Sequence, residues 1–303
     1  MRTRVTAGLA AAAALALPLL VTSPAFAAGP PLPDGNHLYA LPCSDKSDLY
    51  TVDPVTAALT VSADTDFGCV GAAAFDPTTG VSYAFHWSQG QLAPFVAATG
   101  FIGAPLLLTG GSSTPDGLAI GLDGKAFTTT QGDLYSLDLT TGVQTLIGPM
   151  SVPCLYAFSV DPTTGKFFAI QCSSGEIYEV NTTTALLTSL GSVVVGDPED
   201  SQAIYDLRID TSGRWWIESQ PIDDTALWSF AGVAGSATPV LSGPFMLGSD
   251  VEYTEAILIT WDPVLPATGL DGFAAFGLLG GGVLLLISGG VVLITARRTR
   301  GES

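Results

Sequence analysis

Positive charge is what this chain has least of: 10 Lys and Arg stand against 28 Asp and Glu, a formal net charge of −18 at pH 7. That balance excludes nucleic acid and anionic lipid as partners, since both repel a strongly negative surface. Histidine is scarcer still, with only His37 and His86, and they fall in different repeats of the chain. A histidine metal cluster or a Ser–His–Asp triad is therefore not expected. The chain also lacks Gly-x-Ser-x-Gly, His-Glu-x-x-His, a phosphate loop and a helix–loop–helix calcium loop. These absences predict a protein that is not an enzyme and has no cofactor or catalytic residues. Runs such as Asp197-Pro198-Glu199-Asp200, Asp223-Asp224 and Asp250-Val251-Glu252 supply hard oxygen ligands suited to calcium. They read more simply as solvated loops, so no metal site is assigned.

What is present begins at the ends. Arg2 and Arg4 precede an apolar stretch from Ala7 to Val21, and Ala25 and Ala27 flank Phe26 in an A-x-A pattern. These are the parts of a secretory signal peptide, expected over residues 1–27 with cleavage after Ala27. Pro18 and the shortness of the run argue against a span, which takes about 20 apolar residues. Far downstream, Gly272 to Ala296 carries no charge and is long enough to cross a bilayer as a helix. Arg297, Arg298 and Arg300 follow, and positive flanks stay cytoplasmic, which places the body of the chain outside. Just before this segment stands Leu265-Pro266-Ala267-Thr268-Gly269.

Pentapeptide, apolar segment and basic tail together resemble the sorting signal of LPxTG-type sortase substrates, the wall-anchored surface proteins of Gram-positive bacteria. The resemblance implies a membrane cysteine transpeptidase (a sortase) as partner, cutting between Thr268 and Gly269. The Thr268 carboxyl would then be joined to an amine of the peptidoglycan precursor. It implies a secreted, cell-wall-anchored protein that passes through a single-pass membrane intermediate. Read without the pentapeptide, the same tail is a plain single-pass anchor.

Between residues 28 and 268, 26 of the acidic residues face five basic ones: Lys46, Lys125, Lys166, Arg208 and Arg214. All four cysteines, Cys43, Cys69, Cys154 and Cys172, also lie there, where export permits disulfides. Four cysteines allow three pairings.

Self-similarity organises this part. Cys154 to Leu190 reads CLYAFSVDPTTGKFFAIQCSSGEIYEVNTTTALLTSL, and Cys69 to Val96 reads CVGAAAFDPTTGVSYAFHWSQGQLAPFV. In both, a Cys lies seven residues before an Asp-Pro-Thr-Thr-Gly turn. Gly117 to Ile147 and Ala203 to Phe230 carry looser copies, and the segment from His37 matches the second half of the Cys154 copy. Runs such as Tyr156-Phe158-Val160 and Ile177-Tyr178-Glu179-Val180 have the two-residue period of strands. The turns place Pro where φ is near −65° and Gly where φ is positive. Asp123-Gly124 is a tighter hairpin signal.

Each copy thus predicts four short antiparallel strands in about 40 to 45 residues, the size of a propeller blade. Four full blades are expected near 69–109, 116–147, 154–190 and 202–241. Three strands over 37–62 would be completed by one near 250–260, closing a fifth blade and removing the free sheet edge. The expectation is an all-β, five-bladed propeller over residues 37–260. It follows an extension at 28–36 and precedes a linker with its sorting signal at 261–269, the span at 272–296 and a basic tail at 297–303. Six blades or two sandwiches stay open. The Leu-Tyr-x-Val-Asp strands followed by Thr-Gly turns resemble YVTN-like and quinoprotein-like propeller repeats, over about residues 37–260.

Strands meeting across the Asp161 turn pair residues whose numbers sum to about 327, which sets Cys154 opposite Cys172. Cys43 and Cys69 then pair, tying the first blade to the second. Trp215, Trp216, Trp228 and Trp261 suit either the core or a sugar site, and Trp215 and Trp216 should point to opposite sides of their sheet. Asn181-Thr182-Thr183 fits a glycosylation sequon but carries little meaning without eukaryotic machinery. His86, beside Trp87, reads as an ordinary strand residue. The leading function is a displayed module for a protein or glycan ligand. A wall-bound propeller enzyme (lyase, lactonase or hydrolase) is the alternative.

Overall fold

The computed structural model describes residues 30–43, 48–65, 68–195, 204–220, 225–231, 240–247, 250–251 and 254–261. The signal peptide, sorting signal, apolar span and arginine tail expected from the sequence lie outside them. So do Asp197–Asp200, Asp223, Asp224 and Glu252. Among the described residues no helix is long and apolar enough to cross a membrane.

The described residues form five four-stranded antiparallel blades and one short two-stranded ribbon. Blade 1 combines Thr254–Trp261, Asn36–Pro42, Asp48–Val52 and Leu59–Asp64. Blade 2 runs through Val70–Asp76, Val81–His86 and Gln91–Val96, with its outer strand split into Phe101–Ile102 and Leu106–Leu107. Blade 3 contains Gly117–Ile120, Ala126–Thr130, Asp133–Leu137 and Gln144–Pro149. Blade 4 contains Ala157–Val160, Phe167–Ile170, Glu176–Val180 and Leu187–Ser192. Blade 5 contains Ile204–Ile209, Arg214–Ser219, Ala226–Ala231 and Val240–Pro244. The first-named strand of each blade is innermost, and these five strands touch in a closed ring. The closing strand pairs with Asn36–Pro42 from Asn36 opposite Trp261 to Pro42 opposite Thr254. It is shorter at its start than expected, because Asp250–Val251 pairs instead with Met246–Leu247.

Both sides of a blade are interior in this arrangement, and the core divides into five apolar clusters, one per blade interface. Phe75 and Leu258 meet between blades 1 and 2, and Phe85 and Ile120 between blades 2 and 3. Phe127 and Phe158 meet between blades 3 and 4. Phe168 and Trp215 fill the interface of blades 4 and 5, and Trp216 and Ile257 that of blades 5 and 1. Trp215 and Trp216 do point to opposite sides of their sheet, yet both are buried, because each side faces another blade.

The repeated sequence has a repeated geometry. Asp76 Oδ1 accepts from the Thr78 amide at 2.9 Å and the Thr78 hydroxyl at 2.8 Å, while Oδ2 accepts from the Thr79 hydroxyl at 2.7 Å. Asp161 does the same with Thr163 and Thr164. Asp53, Asp138 and Asn181 cap their turns through two amides each. Such Asx turns satisfy the loop's own amides and fix its entry angle. Gly80, Gly142 and Gly165 close theirs at φ of 73°, 74° and 71°, each amide donating back to the turn's Asp carbonyl. A second repeated feature lies between the third and fourth strands. The register slips at Leu49/Tyr50, Leu134/Tyr135, Ile177/Tyr178 and Leu227/Trp228. The Leu-Tyr pair of the repeat therefore marks a β-bulge, which adds twist to the outer edge of the blade.

Candidate functional site: an aromatic cup on the crossover face

Antiparallel order sorts the connections by face. Turns joining strands one to two and three to four lie on one face, which carries the Asx turns. The other, the crossover face, carries the second-to-third turns and the links between blades.

The axis is filled. The inner edge of every innermost strand has no further strand beside it, so its amides and carbonyls need other partners. Arg208 of blade 5 supplies them: its Nε donates to the Ile257 carbonyl at 2.9 Å and its Nη1 to that of Phe158 at 3.0 Å. Nη1 also reaches the Leu207 carbonyl at 2.5 Å, and Nη2 donates to the Ala73 carbonyl. Four of the five inner strands are thus tied to one guanidinium. Asp206 complements it, pairing with Arg208 Nη1 at 2.9 Å and accepting from the Leu207 and Ile257 amides at 2.8 and 3.0 Å. Burial pushes the Asp206 carboxyl up to about 7 against the opposing pull of Arg208. Both side chains are buried, and the space beside Arg208 amounts to about 20 Å³, room for about one water.

On the crossover face a larger cavity of about 240 Å³ opens, lined by Gly71, Trp87, Pro115, Asp116, Tyr156 and Tyr205. Four of these share one register position. Gly71, Tyr156 and Tyr205 each stand five residues before the turn Asp of their blade (Asp76, Asp161 and Asp210), and Asp116 stands five before Gly121, which holds that place in blade 3. The same column passes through Glu255 in blade 1. The Tyr156 and Tyr205 rings are parallel, within 2°, with centroids 6.4 Å apart. Trp87 is 37 % exposed, and its indole lies over Gly71, where a Cβ would sit 3.5 Å from the ring. Asp116 Oδ2 accepts from the Gln131 amide at 2.7 Å. Burial raises the Asp116 pKa, and that hydrogen bond opposes the shift.

Both disulfides frame this cup. Cys154 pairs with Cys172, as the hairpin register implied, and Cys43 with Cys69, the pair then remaining. Cys69 lies two residues before Gly71, and its carbonyl accepts from the Trp87 amide at 3.1 Å. Cys154 lies two before Tyr156. The Cys172 amide donates to the Cys154 carbonyl at 2.9 Å, and its carbonyl accepts from Ile204, next to Tyr205, at 3.2 Å. Thr129 Oγ1 donates to the Leu155 carbonyl at 2.7 Å, linking the Asp116 side of the cup to Tyr156.

Of the residues singled out from sequence, few come together here. Trp215 and Trp216 belong to the core, Trp228 donates to Ser219 at 2.8 Å, and Trp261 packs edge-on against Phe75 at 5.0 Å. His37 and His86 sit on strands of separate blades. Among the described residues no group of three or more His, Cys, Asp or Glu could hold a metal ion. The cup itself went unnoticed because its residues differ from blade to blade. Reading down the column five places before the turn Asp would have found it.

No protein-family model and no curated protein matches the chain. Among solved structures it is similar to a chain in the crystal structure of a nidogen/laminin complex, with a TM-score of 0.52 and 11% identity, over 75% of this chain and 99% of that one. It is more weakly similar to Kuenenia stuttgartiensis hydrazine synthase, with a TM-score of 0.41 and 11% identity over 60% of this chain and 51% of that one. At such identity the nidogen/laminin likeness speaks for the fold alone, and the chain is a five-bladed β-propeller.

Proposed function

We infer that this chain is an extracellular display protein whose propeller presents the crossover face to a ligand and whose tail is handed to the cell wall at Thr268. The observation that carries the binding reading is the cup: three aromatic side chains and one carboxylate at the mouth of a plugged axis, with a disulfide on either flank. The plug matters because it leaves the axis no depth for a substrate, so a ligand must sit at the surface. Disulfides two residues from the cup fit export and hold the loops in one geometry before a ligand arrives.

Every strand of the ring lies between Asn36 and Trp261, so a 28–264 fragment contains the whole propeller. Glycan and protein arrays probed with that fragment should yield a ligand whose signal disappears in Trp87→Ala. Silence on every array, together with turnover of some substrate, would overturn the reading in favour of an enzyme. For the anchor, Thr268→Ala should shift the protein from the muramidase-released wall fraction to the membrane or the medium. An unchanged wall fraction would refute sorting at Thr268.

A further inference from the structure

We propose that the cup binds a methylated ammonium group, a compact organic cation whose charge is spread over its methyls. The proposal rests on the reading of the cup as a binding site and adds the class of ligand. Three features of the lining converge on it. Trp87, Tyr156 and Tyr205 line the cavity with aromatic rings, and such rings attract cations, most strongly where water is partly excluded. Asp116 places a carboxylate on the same rim, held by the Gln131 amide and half-buried. Pro115 adds a side chain with no polar atom and no backbone N–H to the same lining.

Size points the same way. The cavity of about 240 Å³ is smaller than the roughly 300–1,000 Å³ of pockets that take drug-sized ligands. It suits a head group rather than an oligosaccharide. The excess of 28 acidic over 10 basic residues makes the surrounding field attractive to any cation. Burial raises the Asp116 pKa, and a cation seated beside it would bring that pKa back down, so ligand and carboxylate stabilise each other.

The test is a calorimetric titration of the full-length chain, in a detergent without a choline head group, with choline and with its uncharged carbon analogue dimethylbutanol. Choline should bind at least about tenfold more tightly than the analogue. Trp87→Ala and Tyr205→Ala should each weaken choline by at least about tenfold, and Asp116→Asn by less. Trp87 is partly exposed, and a thermal melt of its variant checks that the ring remains folded. Equal affinity for the uncharged analogue, or full affinity in a folded Trp87→Ala protein, would overturn the proposal. Glycerophosphocholine and a trimethyllysine peptide then separate a phospholipid-type head group from a modified protein as the source; tighter binding of either supports the cation class. An array ligand that choline fails to displace, with no choline binding, sinks the cation while leaving the binding face intact. Loss of both sinks the cup as a site.

Discussion

The two faces of this propeller follow opposite rules. On one, five turns repeat the same chemistry: Asp53, Asp76, Asp138, Asn181 and Asp161 each fold their side chain back on their own loop. On the other, the equivalent positions of successive blades hold Gly71, Asp116, Tyr156 and Tyr205, and no two neighbouring connections are alike until the pair of tyrosines. Acidic groups divide in the same way. The Thr140 amide, ahead of contacts with Thr141, holds the Asp138 carboxyl below its ordinary range. Burial pushes Asp161 upward, but the hydroxyls and amides of Thr163 and Thr164 outweigh it and leave that carboxyl lowered too. Asp116 is raised. A carboxylate engaged by its own turn is a structural part, whereas one that is half-buried at a cavity rim remains able to meet a ligand.

The largest blow to this division is to remove what holds both faces in one ring. Arg208→Ala strands Asp206 in the interior and frees carbonyls on several inner strands, and should cost about 3–5 kcal/mol in urea unfolding. Next comes the crossover face. Cys154→Ser with Cys172→Ser opens a link across 18 residues and should cost about 3 kcal/mol, visible as a lower Tm. A paired comparison then sets the faces directly against each other. Asp161→Ala, which loses the turn's side-chain hydrogen bonds, should cost about 1–2 kcal/mol and leave ligand binding intact. Trp87→Ala should do the reverse, with stability within about 1 kcal/mol of the parent and binding lost. Equal stability losses from the two would break the comparison.

Titration sharpens it further. Asp138 and Asp161 have lowered pKa values, so their contribution is present above the unfolded carboxylate range and is lost as pH falls through their folded values. Asp206 is raised to about 7, so its contribution is full below the unfolded carboxylate range and is lost as pH rises toward about 7. Thermal melts from pH 3 to 8 should therefore give a maximum in the mildly acidic range, and Asp206→Asn should flatten the neutral limb. The smallest effect tests the turns themselves. Ala185, like Ala57 in blade 1, holds a left-handed φ (59°) where the Asp138 turn has Gly142, and its methyl is buried at 1 % exposure. Ala185→Gly relieves about 1 kcal/mol of strain and removes about 0.8 kcal/mol of burial, so the Tm should barely move.

These contrasts also explain what could be read from the sequence. The blades were legible because Asp-Pro-Thr-Thr-Gly and Leu-Tyr recur wherever a turn or a bulge recurs, and because Cys154 and Cys172 flank one such turn at matched distances. The closing strand was legible because only the run near 250–260 remained to complete blade 1, although its true start at Thr254 was not. The cup was not, because recognition needs residues that break the repeat, and Trp87 and Asp116 resemble nothing in the other copies. Nor was the axis: Arg208 is one of five basic residues between 28 and 268, and nothing near it in the chain reveals that Ala73, Phe158 and Ile257 will be its partners.

The pairing of Asn36–Pro42 with Thr254–Trp261 has a mechanical and a temporal side. The first blade waits for Thr254–Trp261, made after every other strand of the ring, so no chain that stops short of it can close the circle. Tension applied beyond Trp261 would enter at the Asn36–Trp261 pair and peel that strand one hydrogen-bonded rung at a time, making this seam the place where the ring would open first.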